Sequence, residues 1–170
     1  MNAFQKPNRA PGAHPAPSLV IPVSALTAPL PIDALFDPQR PLEIEIGCGK
    51  GRFLAARAAK NPQTQYIGIE RMLSRVRKID KKAVRSGLEN LRVLRLEAFY
   101  AFYYLLPRHR VRTVYVFFPD PWPKRHHHNR RLFSPLFLDA LWARLEIGGT
   151  IQIATDHLDY FAEIRARLTA

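Results

Sequence analysis

A single cysteine, Cys48, stands in a chain of 170 residues, so neither an internal disulfide nor a multi-cysteine metal centre can form within it. Cys48 is read as a small apolar filler in a tight glycine turn. Acidic residues are also scarce: 14 Asp and Glu face 26 Lys and Arg, a formal net charge of +12 that disfavours a cationic partner and favours a polyanion. No apolar run reaches the roughly 18 residues needed to cross a bilayer, and the N-terminus lacks the basic-then-apolar layout of a secretory leader. The expectation is a cytoplasmic protein without membrane association. Glycine is sparse too, with 8 in all, which makes three of them within five positions worth following.

The positive charge is concentrated. Residues 50–131 carry 20 Lys and Arg against 5 Asp and Glu, so the flanks are slightly acidic. A basic patch confined to one region is the electrostatic footprint of a nucleic-acid partner. A membrane surface would instead ask for an amphipathic helix pairing such charge with exposed aromatic rings, and none is apparent.

Residues 1–41 hold 9 of the 15 prolines and show little hydrophobic periodicity. We expect a mobile tail over residues 1–40 leading into one domain over 41–170. From Pro41 the pattern becomes regular. LEIEIG (42–47), TQYIGIE (64–70), RVLRLE (92–97), VRTVYVFF (111–118) and TIQIATD (150–156) read as strands, separated by helices over about 51–60, 71–86 and 99–106. Ser134 before Pro135 predicts the start of another helix, Gly148–Gly149 its end, and a last helix follows with Leu158, Phe161, Ile164 and Leu168 on one face. Five strands alternating with helices imply an α/β fold with a doubly wound, mainly parallel sheet. Ligands bind such sheets beyond the carboxyl ends of the strands, which selects Glu45, Glu70, Glu97, Asp120 and Asp156.

EIGCGKG (45–51) places Gly47, Gly49 and Gly51 between a strand and a helix, where missing side chains allow close approach of a ligand to the backbone. A P-loop needs a longer spacing and a Lys-Ser/Thr pair. A dinucleotide turn needs a third glycine where Arg52 stands. The remaining G-x-G-x-G pattern resembles motif I of S-adenosylmethionine-dependent methyltransferases. Glu70 is then placed to accept hydrogen bonds from both ribose hydroxyls of that cofactor, and Glu45 to face its cationic methionine end.

FPDPWPKRHHHNRRL (118–132) packs an acid, three prolines, a tryptophan, three histidines and four cations into one semi-rigid segment. Together with EIGCGKG, GIE (68–70) and ATD (154–156), it resembles the bacterial tRNA (guanine-N7-)-methyltransferase family from about Pro41 to Ala170. The resemblance implies a Rossmann-like class I methyltransferase that methylates N7 of guanosine 46 in the tRNA variable loop. Carried over by position, Glu45, Gly47, Gly49, Gly51, Glu70, Glu97 and Asp120 become cofactor-site residues, and Asp120 is also catalytic. Lys124 and Asp156 become substrate contacts, and Arg125, His126, His127, His128, Asn129, Arg130 and Arg131 the RNA-facing segment. Trp122 is open to two readings, a hydrophobic anchor for the loop or a stacking ring. No metal is expected, because adjacent histidines in an extended loop diverge and no acid or cysteine joins them at ligand spacing. On the helix after Glu70, the cations Arg71, Arg75, Lys78, Lys82 and Arg85 form a stripe opposite Leu73, Val76 and Ile79, extending the RNA surface.

The chain departs from the family at Glu97, where Asp or Asn is usual, and at His126 and Asn129, where cations are usual. Typical members also continue past Ala170 with two more strands carrying a Thr-x-x-Glu motif. The expected sheet therefore lacks the last two family strands and leaves residues 150–156 as an exposed edge, which allows either a monomer or a homodimer paired through that edge. The alternative function is a truncated, catalytically weak or inactive RNA-binding homologue that retains cofactor binding.

Overall fold

A computed structural model describes residues 18–25 and 27–169, so the expected mobile tail lies outside the described residues over 1–17 and at residue 26. Six strands form one sheet: β1 (Val20–Ile21), β2 (Leu42–Ile46), β3 (Gln65–Ile69), β4 (Leu91–Leu94), β5 (Val111–Phe117) and β6 (Leu145–Ala154). Their order is β1-β4-β3-β2-β5-β6, with every pairing parallel. Helices α1 (Ile32–Leu35), α2 (Arg52–Lys60), α3 (Leu73–Arg85), α4 (Ala98–Tyr100, continued by a π-helical turn over Ala101–Leu105), α5 (Pro135–Trp142) and α6 (Leu158–Leu168) complete the chain.

Both sheet faces are covered, which is why β2 and β3 are buried along their whole length. On one face Ile44, Ile67 and Val114 join Phe102 of the π-helical turn, Phe137 of α5 and Ile164 of α6 in one core. On the other, Leu54 and Ala58 of α2 and Val76, Ile79 and Ala83 of α3 pack on Tyr66, Leu91 and Val93. Each such Leu or Ile, fully buried, contributes about 1.5–3 kcal/mol. Between β2 and β5 the chain direction across the sheet reverses, leaving a crevice at their carboxyl ends.

Four expectations change. The sheet has six strands rather than five, because Val20 and Ile21 pair with Val93 and Leu94, and Asp80 accepts the Leu19 amide at 2.7 Å. Leu19, Ile21, Leu30, Ile32 and Phe36 are buried, so packing begins well before Pro41. Helix α5 starts as expected, with Ser134 Oγ accepting the Phe137 amide, but it stops at Trp142. Gly148 and Gly149 lie inside β6 instead, at the bulge where the β5–β6 register jumps. A Cβ on Gly149 would stand 2.9 Å from the Glu146 carbonyl oxygen, so that bulge needs glycine. Helix α6 buries Tyr160 and Ile164, a stripe of period four, while Leu158 is 82% exposed. Finally, β6 occupies one end of the sheet, as expected of an edge.

Candidate active site

A cavity of about 420 Å³ opens at the β2–β5 crevice. Its wall comes from the turns after four adjacent strands: Gly47 after β2, Glu70 after β3, Glu97 after β4, and Phe118 and Asp120 after β5. Trp122, Arg130 and Leu132 close it from the loop. Of the residues singled out by sequence, Gly47, Glu70, Glu97, Asp120 and Arg130 therefore meet in one wall.

The glycine turn is built for that wall. Gly47, Gly49 and Gly51 all have positive φ, at 68°, 55° and 63°. A Cβ on Gly47 would meet nothing within 4 Å, whereas one on Gly51 would press on Ile79 at 2.9 Å. Gly47 thus leaves open space where a ligand can approach, and Gly51 permits α2 to pack on α3. Gly49 donates its amide to Glu70 Oε2 at 3.0 Å, and Met72 donates to Oε1 at 2.8 Å. Arg75, expected only in the basic stripe, reaches back to Glu70 Oε2 at 3.4 Å. Glu97 caps α4 by accepting the Phe99 amide at 2.9 Å through one oxygen, and the residue also lines the cavity.

Glu45 lies outside the cavity wall, beneath the glycine turn and beside the start of α2. It is 6% exposed, and its Oε2 has no hydrogen-bond partner. Burial raises its carboxyl from an ordinary value of 4.5 to about 7, with the Leu54 amide opposing the shift. Burial likewise pushes the Cys48 thiol up, with Glu45 and Glu70 adding to the effect, so Cys48 is an unreactive filler. The unfolded chain loses the Glu45 proton near 4.5 and the folded chain near 7, so stability falls as pH rises through that window. Glu45→Gln, which stays neutral, should stabilise the free chain by about 2–3 kcal/mol above pH 7 and hardly at all below 4.5. Urea unfolding at pH 4 and pH 8 measures this; equal effects at both would mean that the buried charge is not the cause.

Residues 125–130 form a 3-10 helix rather than an extended loop. His127 packs edge-on against Trp122 at 5.6 Å, and the Arg130 guanidinium covers the Trp122 ring at 5.0 Å. Trp122 is thus a loop anchor that is already engaged. Arg125, His126, Asn129 and Arg130 are exposed, as are Lys124 and Asp156 outside the cavity wall. His127 and His128 are half-buried.

Arg131 is the clearest correction to the RNA-facing segment. Its side chain is 3% exposed and turned inward. Nε donates to the Pro121 carbonyl at 2.8 Å, Nη1 pairs with Glu163, and the guanidinium lies 4.7 Å from the centre of the Tyr160 ring. Arg131 therefore ties both ends of the loop to α6. Among the described residues no group of three or more His, Cys, Asp or Glu is placed to hold a metal, and no helix is long and apolar enough to cross a membrane.

Sequence reasoning missed Phe118 as a wall residue because it closes an apolar strand and reads as core. Its position directly before Pro119 and Asp120 was the available signal.

Comparison with known proteins agrees with this geometry. A tRNA (guanine-N(7)-)-methyltransferase of Nocardia farcinica is 42% identical over 81% of this chain and 51% of its own length. The protein of the same name from Halorhodospira halophila is 42% identical over 76% and 56%. The chain spans about half the length of these curated relatives. Among solved structures, an antibiotic-related methyltransferase superposes with a TM-score of 0.60 at 20% identity, covering 81% of this chain and 71% of that one. The antibiotic-resistance methyltransferase Kmr gives 0.55 at 21%, covering 73% and 64%. These two support the class I methyltransferase fold alone. Residues 39–170 match the model of a family described as "Putative methyltransferase", and the chain belongs to that methyltransferase family.

Proposed function

We propose that the chain methylates N7 of a tRNA guanosine, the variable-loop guanosine 46, using S-adenosylmethionine. The observation that carries this reading is Asp120: an exposed carboxylate in the wall of an acid-lined crevice, followed directly by a basic loop. The 42% identity to proteins named for this reaction supports it. A tRNA substrate also makes the cytoplasm the site of action.

The wall fits the cofactor. Open space at Gly47 admits the ligand against the backbone, and Glu70 and Glu97 retain lone pairs for hydroxyl and amine donors. Glu45, with an unpartnered oxygen under the turn, supplies negative charge near a cationic group when ionised. When bound, S-adenosylmethionine supplies an electrophilic methyl whose transfer breaks the C–S bond, forms the N7–C bond and moves the positive charge onto the purine.

Guanine N7 carries a free lone pair, so no residue needs to remove a proton from it. The task left to the chain is alignment, for which well-oriented groups contribute up to about 7–11 kcal/mol. Asp120 holds the base edge through its N–H donors and stabilises the charge that arrives on the ring. Lys124 and Asp156, both exposed, contact the nucleotide from outside the cavity wall. Arg125, His126, Asn129 and Arg130 face the phosphates and bases around it, and Arg71, Lys78, Lys82 and Arg85, all exposed, extend the surface. Incubation with methyl-labelled cofactor and unmodified tRNA, followed by mapping of the labelled base, tests the proposal.

A further inference from the structure

Three non-glycine residues among those described adopt positive φ: His109, Phe118 and Trp122. Two of them flank Asp120. Such a backbone is costly for a residue with a Cβ and persists where the surroundings impose it. For Trp122 the compensation is visible in its contacts with Arg130 and His127. For Phe118 it is not. Its φ is 51°, it is 66% exposed, and among the described residues its ring makes no aromatic or cation–π contact. The neighbouring Phe117, by contrast, packs edge-on against Phe53 at 4.9 Å. What fixes Phe118 is its backbone, whose amide donates to the Ala154 carbonyl at 2.7 Å. The strand ends there, and the ring is held out into the cavity wall beside Asp120.

Folding gains little from a large apolar ring left in water on an unfavourable backbone. A ligand would gain. The acceptor proposed above is a purine, whose flat face stacks on aromatic side chains, and the reaction turns it into a cation. We infer that Phe118 is the stacking platform for the target purine, positioned so that its face meets the base whose edge Asp120 holds. The attraction strengthens as positive charge develops on the stacked ring, so it favours the transition state over the bound substrate. Phe118 thereby selects a planar base that becomes cationic, and Asp120 selects the edge it presents. This rests on the proposed guanine acceptor.

Phe118→Ala should lower the single-turnover methylation rate on tRNA by about 5- to 150-fold, the range set by losing one base–aromatic stack. Phe118→Trp should retain most of the rate, Phe118→Leu should fall between, and cofactor affinity should stay within about twofold throughout, as for a side chain that meets only the base. Phe118→Gly should lose the same rate while unfolding at a denaturant midpoint no lower than wild type, because glycine accepts positive φ freely and little burial is lost.

Three results would overturn the inference: an unaltered rate in Phe118→Ala, a parallel loss of cofactor affinity that assigns the ring to the cofactor, or a clear destabilisation in Phe118→Gly. A second arm does not depend on turnover. With 2-aminopurine in place of the target guanosine, binding of the wild-type chain to tRNA should quench fluorescence by stacking, and Phe118→Ala should abolish the quench at saturating protein. If the wild-type chain transfers no methyl, the proposed function fails. The stacking role is then decided by that quench, and its persistence in Phe118→Ala would refute it.

Discussion

Replacing Asp120 by alanine should reduce single-turnover methylation of tRNA about 100- to 1000-fold, the usual consequence of removing one preorganised electrostatic group from a reacting centre. The residue is exposed in the cavity wall and makes no hydrogen bond within the described chain, so its carboxylate contributes nothing to packing that the substitution could disturb. Unfolding free energy should accordingly stay within about 0.5 kcal/mol of wild type. Asp120→Asn separates the two duties assigned to the carboxylate. The amide keeps an oxygen that can accept from the base edge but not the charge that offsets the purinium, so its rate should lie between wild type and alanine. Rapid-quench transfer at saturating cofactor and RNA, with a parallel urea titration, measures both quantities. A rate loss matched by a stability loss would make Asp120 a structural residue instead.

Glu163→Ala should destabilise the fold by about 3–5 kcal/mol, because it leaves a buried guanidinium without its counter-charge. Arg131 is that guanidinium, and Glu163 also pairs with Arg167 at 2.7 Å across one turn of α6. The loop between Pro121 and Arg131 should loosen with it, since Arg131 Nε also holds the Pro121 carbonyl. RNA binding distinguishes this inward role from the phosphate contacts of its neighbour. Arg130→Ala should reduce the slope of log affinity against log salt by about one, whereas Arg131→Met should leave it unchanged at a temperature where the variant is folded. A reduced slope in Arg131→Met would mean that the side chain turns outward to meet phosphate.

The same two arginines mark what was legible in the sequence. Both read as cations in a basic loop, and nothing in the pattern separates Arg130, which is exposed, from Arg131, which is not. That difference arises from Glu163 and Tyr160, some thirty positions later on α6, and contacts of that range leave no local signature. Where the signal was local, the reading was faithful. β2, β3 and β5 appear within a residue of their expected ends, because short segments of Ile, Val, Leu and Tyr bounded by glycine, proline or charge have few other solutions. The turn from Glu45 to Gly51 was legible for the same reason.

Misreadings occurred where tertiary contact overrode local pattern. Gly148 and Gly149 looked like a helix stop, yet Gly149 is needed where the β6 backbone closes on the carbonyls of Val111 and Arg112. Val20 and Ile21 are too short a run to announce a strand and become one only because β4 offers them an edge. In α6 the expected face of Leu158, Phe161, Ile164 and Leu168 holds for Ile164 and Leu168, whereas Leu158 and Phe161 are exposed and Tyr160 is buried in their place. At the site, the acids at the strand ends were visible as residue types, but Glu45 looked equivalent to Glu70 and Glu97. Its place beneath the turn follows from strand alternation, which sends it with Glu43 toward α2, where Glu43 meets Arg57 at 3.0 Å.

The proposed function requires that this crevice align guanine N7 with a methyl donor. Its most direct test is to incubate the 170-residue chain with methyl-labelled S-adenosylmethionine and unmodified tRNA, digest the product and locate the label. The expected product is N7-methylguanosine at the variable-loop guanosine, with no transfer to a tRNA carrying 7-deazaguanosine there. Label on another atom or another nucleotide, or no transfer at concentrations where cofactor and tRNA are both bound, would contradict it.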